Sequence, residues 1–217
     1  MTQLSAAIFD MDGLLIDSEP LWQDAELACF RPLGVPVTRE LCRESAGRRI
    51  DEVVQLWHAR FGWDGPSIDE MVERVLETVT SLIIERAEPL PGVIDTMDRL
   101  RQHGIPMAIA SSSPPALIQT VVDALDIGDY LRLTHSGVDE ARSKPDPAVF
   151  LTTAQKLGVA PARCLVFEDA PAGVTAARRA GMRVVAVPSV FEPSDPAFSQ
   201  ADEVLDSLQA FDLGRWL

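Results

Sequence analysis

The chain has 217 residues, of which 47% are hydrophobic, a composition typical of a globular protein with room for a substantial core. Its 33 acidic residues outnumber its 19 basic residues and give a net charge of −14 at pH 7. Such an acidic chain lacks the clustered cations that hold nucleic-acid phosphates or anionic lipid headgroups. Composition therefore excludes nucleic-acid binding as the main function and argues against a role on a membrane surface.

The cysteines and the apolar segments indicate the compartment. Cys29, Cys42 and Cys164 are scattered and form no C-x-x-C pair, which argues against a disulfide framework or a structural zinc site. Neither a signal peptide nor an apolar stretch of about 20 residues, the length of a membrane helix, is recognisable. We therefore expect a cytoplasmic protein that acts as a monomer.

The first part of the chain combines one strand with a long helical block. Residues 5–9 (SAAIF) form a short apolar run that ends at Asp10, which predicts a buried strand. Apolar residues at three- and four-residue steps then predict amphipathic helices over most of 16–87. Ser67 and Glu70 form the sequence pattern of a capping box and predict the start of a helix that continues to about Arg86.

From Pro89 onwards, helices and strands alternate. The patterns predict helices over 92–103, 115–125, 147–157 and from 171 to just before Gly181. Strands are predicted over 105–110, 131–134, 164–167 and 183–187. Residues 189–217 have only weak patterning. Short apolar strands that alternate with helices are typical of a parallel sheet covered on both faces.

The predicted fold class is therefore α/β, a doubly wound and mostly parallel Rossmann-like sheet with an inserted all-helical cap. The catalytic core would comprise residues 1–15 and 88–217, and the cap residues 16–87. The cap would be inserted directly after the first strand.

Polar residues follow four of the predicted strands. In chain order these clusters are Asp10-Met11-Asp12, Ser111-Ser112-Ser113, Ser143-Lys144 and Glu168-Asp169. Because ligands in open parallel sheets bind beyond the carboxyl ends of the strands, we expect the four clusters to converge on one site. Lys144 is notable because it is one of only two lysines, with Lys156, among the 19 basic residues.

The chemistry of this set points to phosphoryl transfer. Four carboxylates repel one another unless a cation neutralises them, and an all-oxygen set favours Mg²⁺ over zinc. Lys144, the Ser111 hydroxyl and the start of the following helix would form a cradle for a phosphate group. One aspartate could then attack phosphorus, and a second could protonate the departing alcohol and activate water.

At these residues the sequence resembles the phosphatases of the haloacid dehalogenase superfamily. Asp10-Met11-Asp12-Gly13, Ser111, Lys144 and Glu168-Asp169 are similar in order and spacing to the four motifs of that superfamily. The resemblance covers the whole chain, including a helical cap after the first motif. The segment 12–22 (DGLLIDSEPLW), with Arg49-Ile50-Asp51, Leu56-Trp57 and Gly65-Pro66-Ser67, is most similar to the bacterial hexitol phosphatases, also known as 2-deoxyglucose-6-phosphate phosphatases.

The resemblance implies a role for each motif residue. Asp10 would be the nucleophile and Asp12 the general acid and base. Mg²⁺ would be held by the Asp10 carboxylate, the Asp12 backbone carbonyl and Asp169, with support from Glu168. The phosphoryl group would be bound by Ser111, Ser112 and Lys144. The pattern departs from the family at Ala170, where Ser or Thr is common.

The implied activity is Mg²⁺-dependent hydrolysis of small sugar or sugar-alcohol phosphates through an aspartyl-phosphate. One alternative is a β-phosphoglucomutase-like mutase, although those enzymes have a histidine where this chain has Trp22. A phosphoglycolate phosphatase and a non-catalytic sugar-phosphate binding protein are further alternatives. Candidates for selecting the leaving group from the cap are Glu19, Trp22, Arg48 and Arg49.

Overall fold

The computed structural model describes residues 3–217 and contains one sheet of six parallel strands. The strands are β1 (Ala6–Phe9), β2 (Met107–Ser111), β3 (Leu131–Ser136), β4 (Cys164–Glu168), β5 (Arg183–Ala186) and β6 (Glu203–Val204). Their order in the sheet is β3-β2-β1-β4-β5-β6, so β1 is paired with β2 on one side and with β4 on the other. The chain therefore winds in opposite directions from β1, which creates the type of switch point where ligands bind in such sheets.

Helices cover both faces of the sheet, as the α/β prediction requires. Between the later strands run α5 (Val93–Gln102), α6 (Pro115–Ala124), α7 (Ala148–Leu157) and α8 (Pro171–Arg179). Alternate strand residues point to opposite faces. Phe9 and Phe167 join the apolar cluster that contains α5 and α6, whereas Ile8 and Val166 join the cluster that contains α7 and α8. The predicted doubly wound fold is confirmed.

Four helices lie between β1 and α5 and are referred to below as the cap helices. They are α1 (Glu19–Phe30), α2 (Arg39–Glu44), α3 (Ile50–Phe61) and α4 (Ile68–Arg86). Ser67 and Glu70 form the predicted capping box at the start of α4. The helix α4 packs against α1 and α3, and also against α6 of the core. The helical nature of the insertion is confirmed, while its predicted limits, 16 and 87, stay a prediction.

The chain leaves and re-enters the core at one place. Ile16 forms an isolated antiparallel bridge with Pro89, and the Leu90 N–H donates to the Leu15 carbonyl oxygen at 2.9 Å. The two connections to the cap helices are therefore tied together at the edge of the core.

Three strands differ from the predictions by two residues or more. β2 was predicted over 105–110 and is found at Met107–Ser111, because residues 105 and 106 precede its pairing with β1. β3 continues to Ser136, two residues beyond the predicted end, because His135 and Ser136 are buried and hydrogen-bonded. The short strand β6 falls in the segment without a predicted element, where Glu203 pairs with Val185. Within residues 3–217, no helix combines the length and the apolar composition needed to cross a membrane.

Candidate active site

The structure brings all the predicted catalytic, phosphate-binding and metal-binding residues to one cavity at the carboxyl ends of the strands. The cavity is lined from the core by Asp10, Asp12, Ser111, Ser112, Lys144, Glu168 and Asp169. Asp10 follows β1 directly, whereas Ser111 and Glu168 are the last residues of β2 and β4. The rings of Phe9 and Phe167, which precede two of the acids, are stacked with centroids 4.6 Å apart. This stacking holds β1 and β4 in the register that places Asp10 beside Glu168.

Lys144 lies between two buried carboxylates. Its Nζ donates to Asp10 Oδ1 at 2.6 Å and to Glu168 Oε1 at 2.5 Å, and all three side chains are less than a tenth exposed. Burial alone would lower the pKa of Lys144, but Asp10 and Glu168 raise it above its usual value. The lysine is therefore a fixed positive charge beside Asp10.

Asp10, Glu168 and Asp169 form a crowded acidic cluster. One carboxylate oxygen from each lies within 4.8 Å of the others. Burial raises the pKa of Asp10 to about 7, against the lowering effect of Lys144. Burial, with Glu168 and Asp10 nearby, also raises the pKa of Asp169. A bound cation would favour the ionised forms, and three buried oxygen donors fit the preference of Mg²⁺.

The two acids at the end of β4, Glu168 and Asp169, are held in place differently. Both oxygens of Glu168 have protein partners, since Oε2 accepts from the Ala170 N–H at 3.0 Å. Asp169 Oδ2 accepts from the Ser189 hydroxyl at 2.7 Å. Gly13 has φ +77°, and a Cβ there would overlap the Asp169 carboxylate. Glycine at 13 therefore permits the close approach of the loop after β1 to Asp169.

Asp12 lies in a separate hydrogen-bonded group. Its Oδ1 accepts from Trp22 Nε1 at 3.0 Å, and its Oδ2 accepts from the Ser113 hydroxyl at 2.8 Å and from the Ser111 hydroxyl at 3.5 Å. The Ser111 hydroxyl in turn accepts from the Ser113 N–H at 3.1 Å. Two of the three consecutive serines therefore orient Asp12, and Ser112 lines the cavity beside them.

The cap helices close the cavity on the other side. Glu19, Trp22 and Arg48 line it, as expected. Arg49 does not match the expectation, because its guanidinium pairs with Asp51 and the residue lines a second cleft. The reason is local: Asp51 follows two residues later and provides a bidentate acceptor for the guanidinium.

Ser113 was expected at the site as part of its serine cluster but without a role of its own, whereas Ser189 and Glu26 were not predicted. Ser113 is the last of the three serines and gave no separate signal. Ser189 lies in the weakly patterned segment. Glu26 follows Trp22 by four residues and therefore shares its face of α1, which was a usable signal. Its side chain lines the cavity, and burial raises its pKa to about 7.

Comparisons with known proteins give consistent results. Residues 4–181 match the family described as haloacid dehalogenase-like hydrolase. The chain is 44% identical to hexitol phosphatase B of Escherichia coli K12 over 95% of this chain and 93% of that protein. It is 32% identical to validoxylamine A 7'-phosphate phosphatase of Streptomyces hygroscopicus over 93% of both chains. The crystal structure of CbbY from Rhodobacter sphaeroides in complex with phosphate superposes with a TM-score of 0.89, at 26% identity, and covers 98% of this chain and 97% of that chain.

Proposed function

Since the chain belongs to the haloacid dehalogenase-like hydrolase family, we propose that it is a Mg²⁺-dependent phosphatase of small sugar or sugar-alcohol phosphates. The predicted superfamily and the predicted enzyme class, a phosphoric monoester hydrolase, are both confirmed by the similarities. The likeness to hexitol phosphatase B along nearly the whole chain supports hexitol phosphates as a substrate type. The resemblance of the motifs adds 2-deoxyglucose 6-phosphate as a second candidate.

The observation that carries the proposal is the position of Asp10. It lies at the switch point of the sheet, hydrogen-bonded to a buried lysine and beside two further acids. A carboxylate in this setting is suited to attack a phosphorus atom, because Lys144 and a bound Mg²⁺ would neutralise the charge of the phosphoryl oxygens.

We assign two steps to the two aspartates. Asp10 attacks phosphorus, the bond to the leaving oxygen breaks, and Asp12 gives its proton to the departing alcohol. Asp12 then takes a proton from a water molecule that attacks the aspartyl-phosphate, which releases inorganic phosphate and restores Asp10. Ser111, Ser112 and Lys144 hold the phosphoryl oxygens in both steps.

The acidic cluster is assigned to the metal ion. The Asp10 and Asp169 carboxylates and the Asp12 backbone carbonyl would hold Mg²⁺, with Glu168 in support through its contact with Lys144. When bound, the ion supplies charge neutralisation and orients the phosphoryl group. A divalent cation also compensates the repulsion within the cluster.

The test is phosphate release in the presence of Mg²⁺ from a panel of phosphate esters. The panel comprises sorbitol 6-phosphate, 2-deoxyglucose 6-phosphate, phosphoglycolate and β-glucose 1-phosphate. Release from the first two supports the proposal, and release from phosphoglycolate alone would make the chain a phosphoglycolate phosphatase. Conversion of β-glucose 1-phosphate to glucose 6-phosphate without release would indicate a mutase.

The same panel distinguishes an enzyme from a binding protein. D10N should lower kcat by about 10⁴-fold or more while leaving the fold intact, as expected for loss of a nucleophile. D17N is the matched control, because Asp17 belongs to the same loop but is exposed. If the wild-type protein released phosphate from none of the esters, a binding role would be favoured. A monomeric state and a cytoplasmic location belong to the same proposal and are checked by light scattering and by cell fractionation.

A further inference from the structure

The first cap helix presents a stripe of three side chains to the cavity. Glu19, Trp22 and Glu26 are spaced at i, i+3 and i+7 along α1, and all three line the cavity. The cap side of the cavity therefore carries two carboxyl groups, one about a turn before Trp22 and one about a turn after it along α1. Arg48 contributes a cation to the lining, but its side chain is exposed to solvent.

Glu26 is the more deeply buried of these two acids. It is 5% exposed, and its Oε2 accepts from Trp57 Nε1 at 3.2 Å. The Cys42 thiol lines the same cavity and lowers the pKa of Glu26, against the larger effect of burial. Within residues 3–217, the hydrogen-bond partner of the Glu26 carboxyl group is thus an indole N–H rather than a cation.

Such a carboxyl group is unfavourable as a purely structural element. Burial of an acid without a paired cation destabilises the folded state, whereas an amide would satisfy the Trp57 N–H without that penalty. Glu26 also lies about 6 Å further along the α1 axis than Trp22, which contacts Asp12. A leaving group that extends from Asp12 past Trp22 would meet this carboxyl group.

We propose that Glu26 selects the leaving group, by accepting a hydrogen bond from a hydroxyl of an uncharged, polyhydroxylated alcohol that reaches past Trp22. Together with Glu19, it disfavours leaving groups that carry a carboxylate or a second phosphate, because like charges repel strongly in a buried cavity. This inference rests on the proposed phosphatase function and names the residue that would decide the substrate class.

The experiment compares kcat/KM for three phosphate esters in the presence of Mg²⁺ at pH 8, above the pKa of about 7 of Glu26, so that its carboxyl group is ionised. Sorbitol 6-phosphate has an uncharged polyol as its leaving group, and phosphoglycolate has an anionic one. The leaving group of p-nitrophenyl phosphate carries no further hydroxyl group. In E26L, the ratio of kcat/KM for sorbitol 6-phosphate to that for p-nitrophenyl phosphate should fall by about 10- to 100-fold, because the hydroxyl loses its acceptor. In E26Q, this ratio should stay within about 3-fold of the wild-type value, since the amide oxygen still accepts a hydrogen bond. The kcat/KM for phosphoglycolate should rise by about 10-fold relative to that for sorbitol 6-phosphate, because the amide is uncharged.

The matched controls are E73L and E73Q. Glu73 is an exposed residue of α4, so these variants make the same change in charge without altering the cavity. The inference would be overturned if the ratio of kcat/KM for sorbitol 6-phosphate to that for p-nitrophenyl phosphate were unchanged in E26L. An equal loss on both esters would be such a result. If the E26L chain does not fold, the inference is tested by E26Q alone. If kcat/KM for phosphoglycolate relative to sorbitol 6-phosphate does not rise in E26Q, the inference is wrong. Absence of phosphate release by the wild-type protein would instead contradict the proposed function itself.

Discussion

The indole N–H of Trp22 donates to Asp12 Oδ1 at 3.0 Å and so links the first cap helix to the proposed acid–base residue. This hydrogen bond forms only when α1 lies against the loop after β1. The position of the cap helices and the orientation of Asp12 are therefore coupled. A substrate enclosed by the cap would meet Asp12 already oriented by Trp22.

Removal of the Trp22 donor should lower kcat more than it changes KM. W22F keeps an aromatic ring but loses the N–H, and we expect kcat for sorbitol 6-phosphate to fall by about 10-fold. The control is W63F, because the Trp63 indole donates to the Pro66 carbonyl oxygen within the cap. Equal kcat values for W22F and W63F would show that Trp22 does not orient Asp12.

Loss of the Ser113 hydroxyl should have an effect that depends on the leaving group. S113A removes the 2.8 Å hydrogen bond to Asp12 Oδ2, and we expect kcat/KM for sorbitol 6-phosphate to fall by about 10-fold. The loss should be smaller for p-nitrophenyl phosphate, because a phenolate leaves without a proton from a general acid. The control is S112A, which should lower kcat/KM for both esters by the same factor. If S113A also lowered kcat/KM for both esters equally, Ser113 would not act through Asp12.

Mg²⁺ should stabilise the protein as well as activate it. Chelation with EDTA should stop phosphate release and Mg²⁺ should restore it. At a Mg²⁺ concentration about 100-fold above Kd, the Tm should rise by roughly 5–10 °C. D169N should lose this rise, whereas D64N, at an exposed cap residue, should keep it. A rise in Tm that survives in D169N would place the ion elsewhere.

The stability of the protein should depend on pH through Glu26. Its pKa is raised from 4.5 to about 7 by burial, so between these values the folded chain holds a proton that the unfolded chain has released. The contribution of Glu26 to the free energy of unfolding therefore falls as pH rises through this window. The stability of E26Q relative to the wild type should increase by about 2–3 kcal/mol between pH 5 and pH 8.

Denaturant unfolding of both proteins at the two pH values, without Mg²⁺, measures this difference. E73Q is the control, since Glu73 is exposed and should give no such trend. A constant difference between E26Q and the wild type would mean that Glu26 titrates normally.

The fold and the convergence of the motifs could be predicted because both follow from local patterns. Strands β1, β2 and β4 are mostly apolar runs, and the polar residues at their carboxyl ends mark one edge of the sheet. The search for apolar runs could not find β6, because this strand has only two residues and owes its conformation to pairing with β5. It also ended β3 early, because the burial of His135 depends on Glu140 and Lys156.

The site was predicted less completely on the cap side than on the core side. Core residues follow strands, so their positions follow from the topology. Cap residues reach the cavity through helix packing, and a sequence pattern does not show which polar face of a helix is covered. Glu26 was not predicted, although it shares a face of α1 with Trp22. Arg49 was expected in the cavity although Asp51 holds it elsewhere.

The bridge between Ile16 and Pro89 has a consequence for how such a chain can diversify. The two ends of the insertion meet at one point of the core, as the two ends of a short hairpin would. A segment joined in this way can be exchanged as one piece, or change its length, without moving the strands that carry Asp10, Ser111 and Glu168. Under the proposed function, a graft of residues 17–88 from a relative that also has tryptophan at position 22 should change the choice of leaving group and keep the hydrogen bond to Asp12.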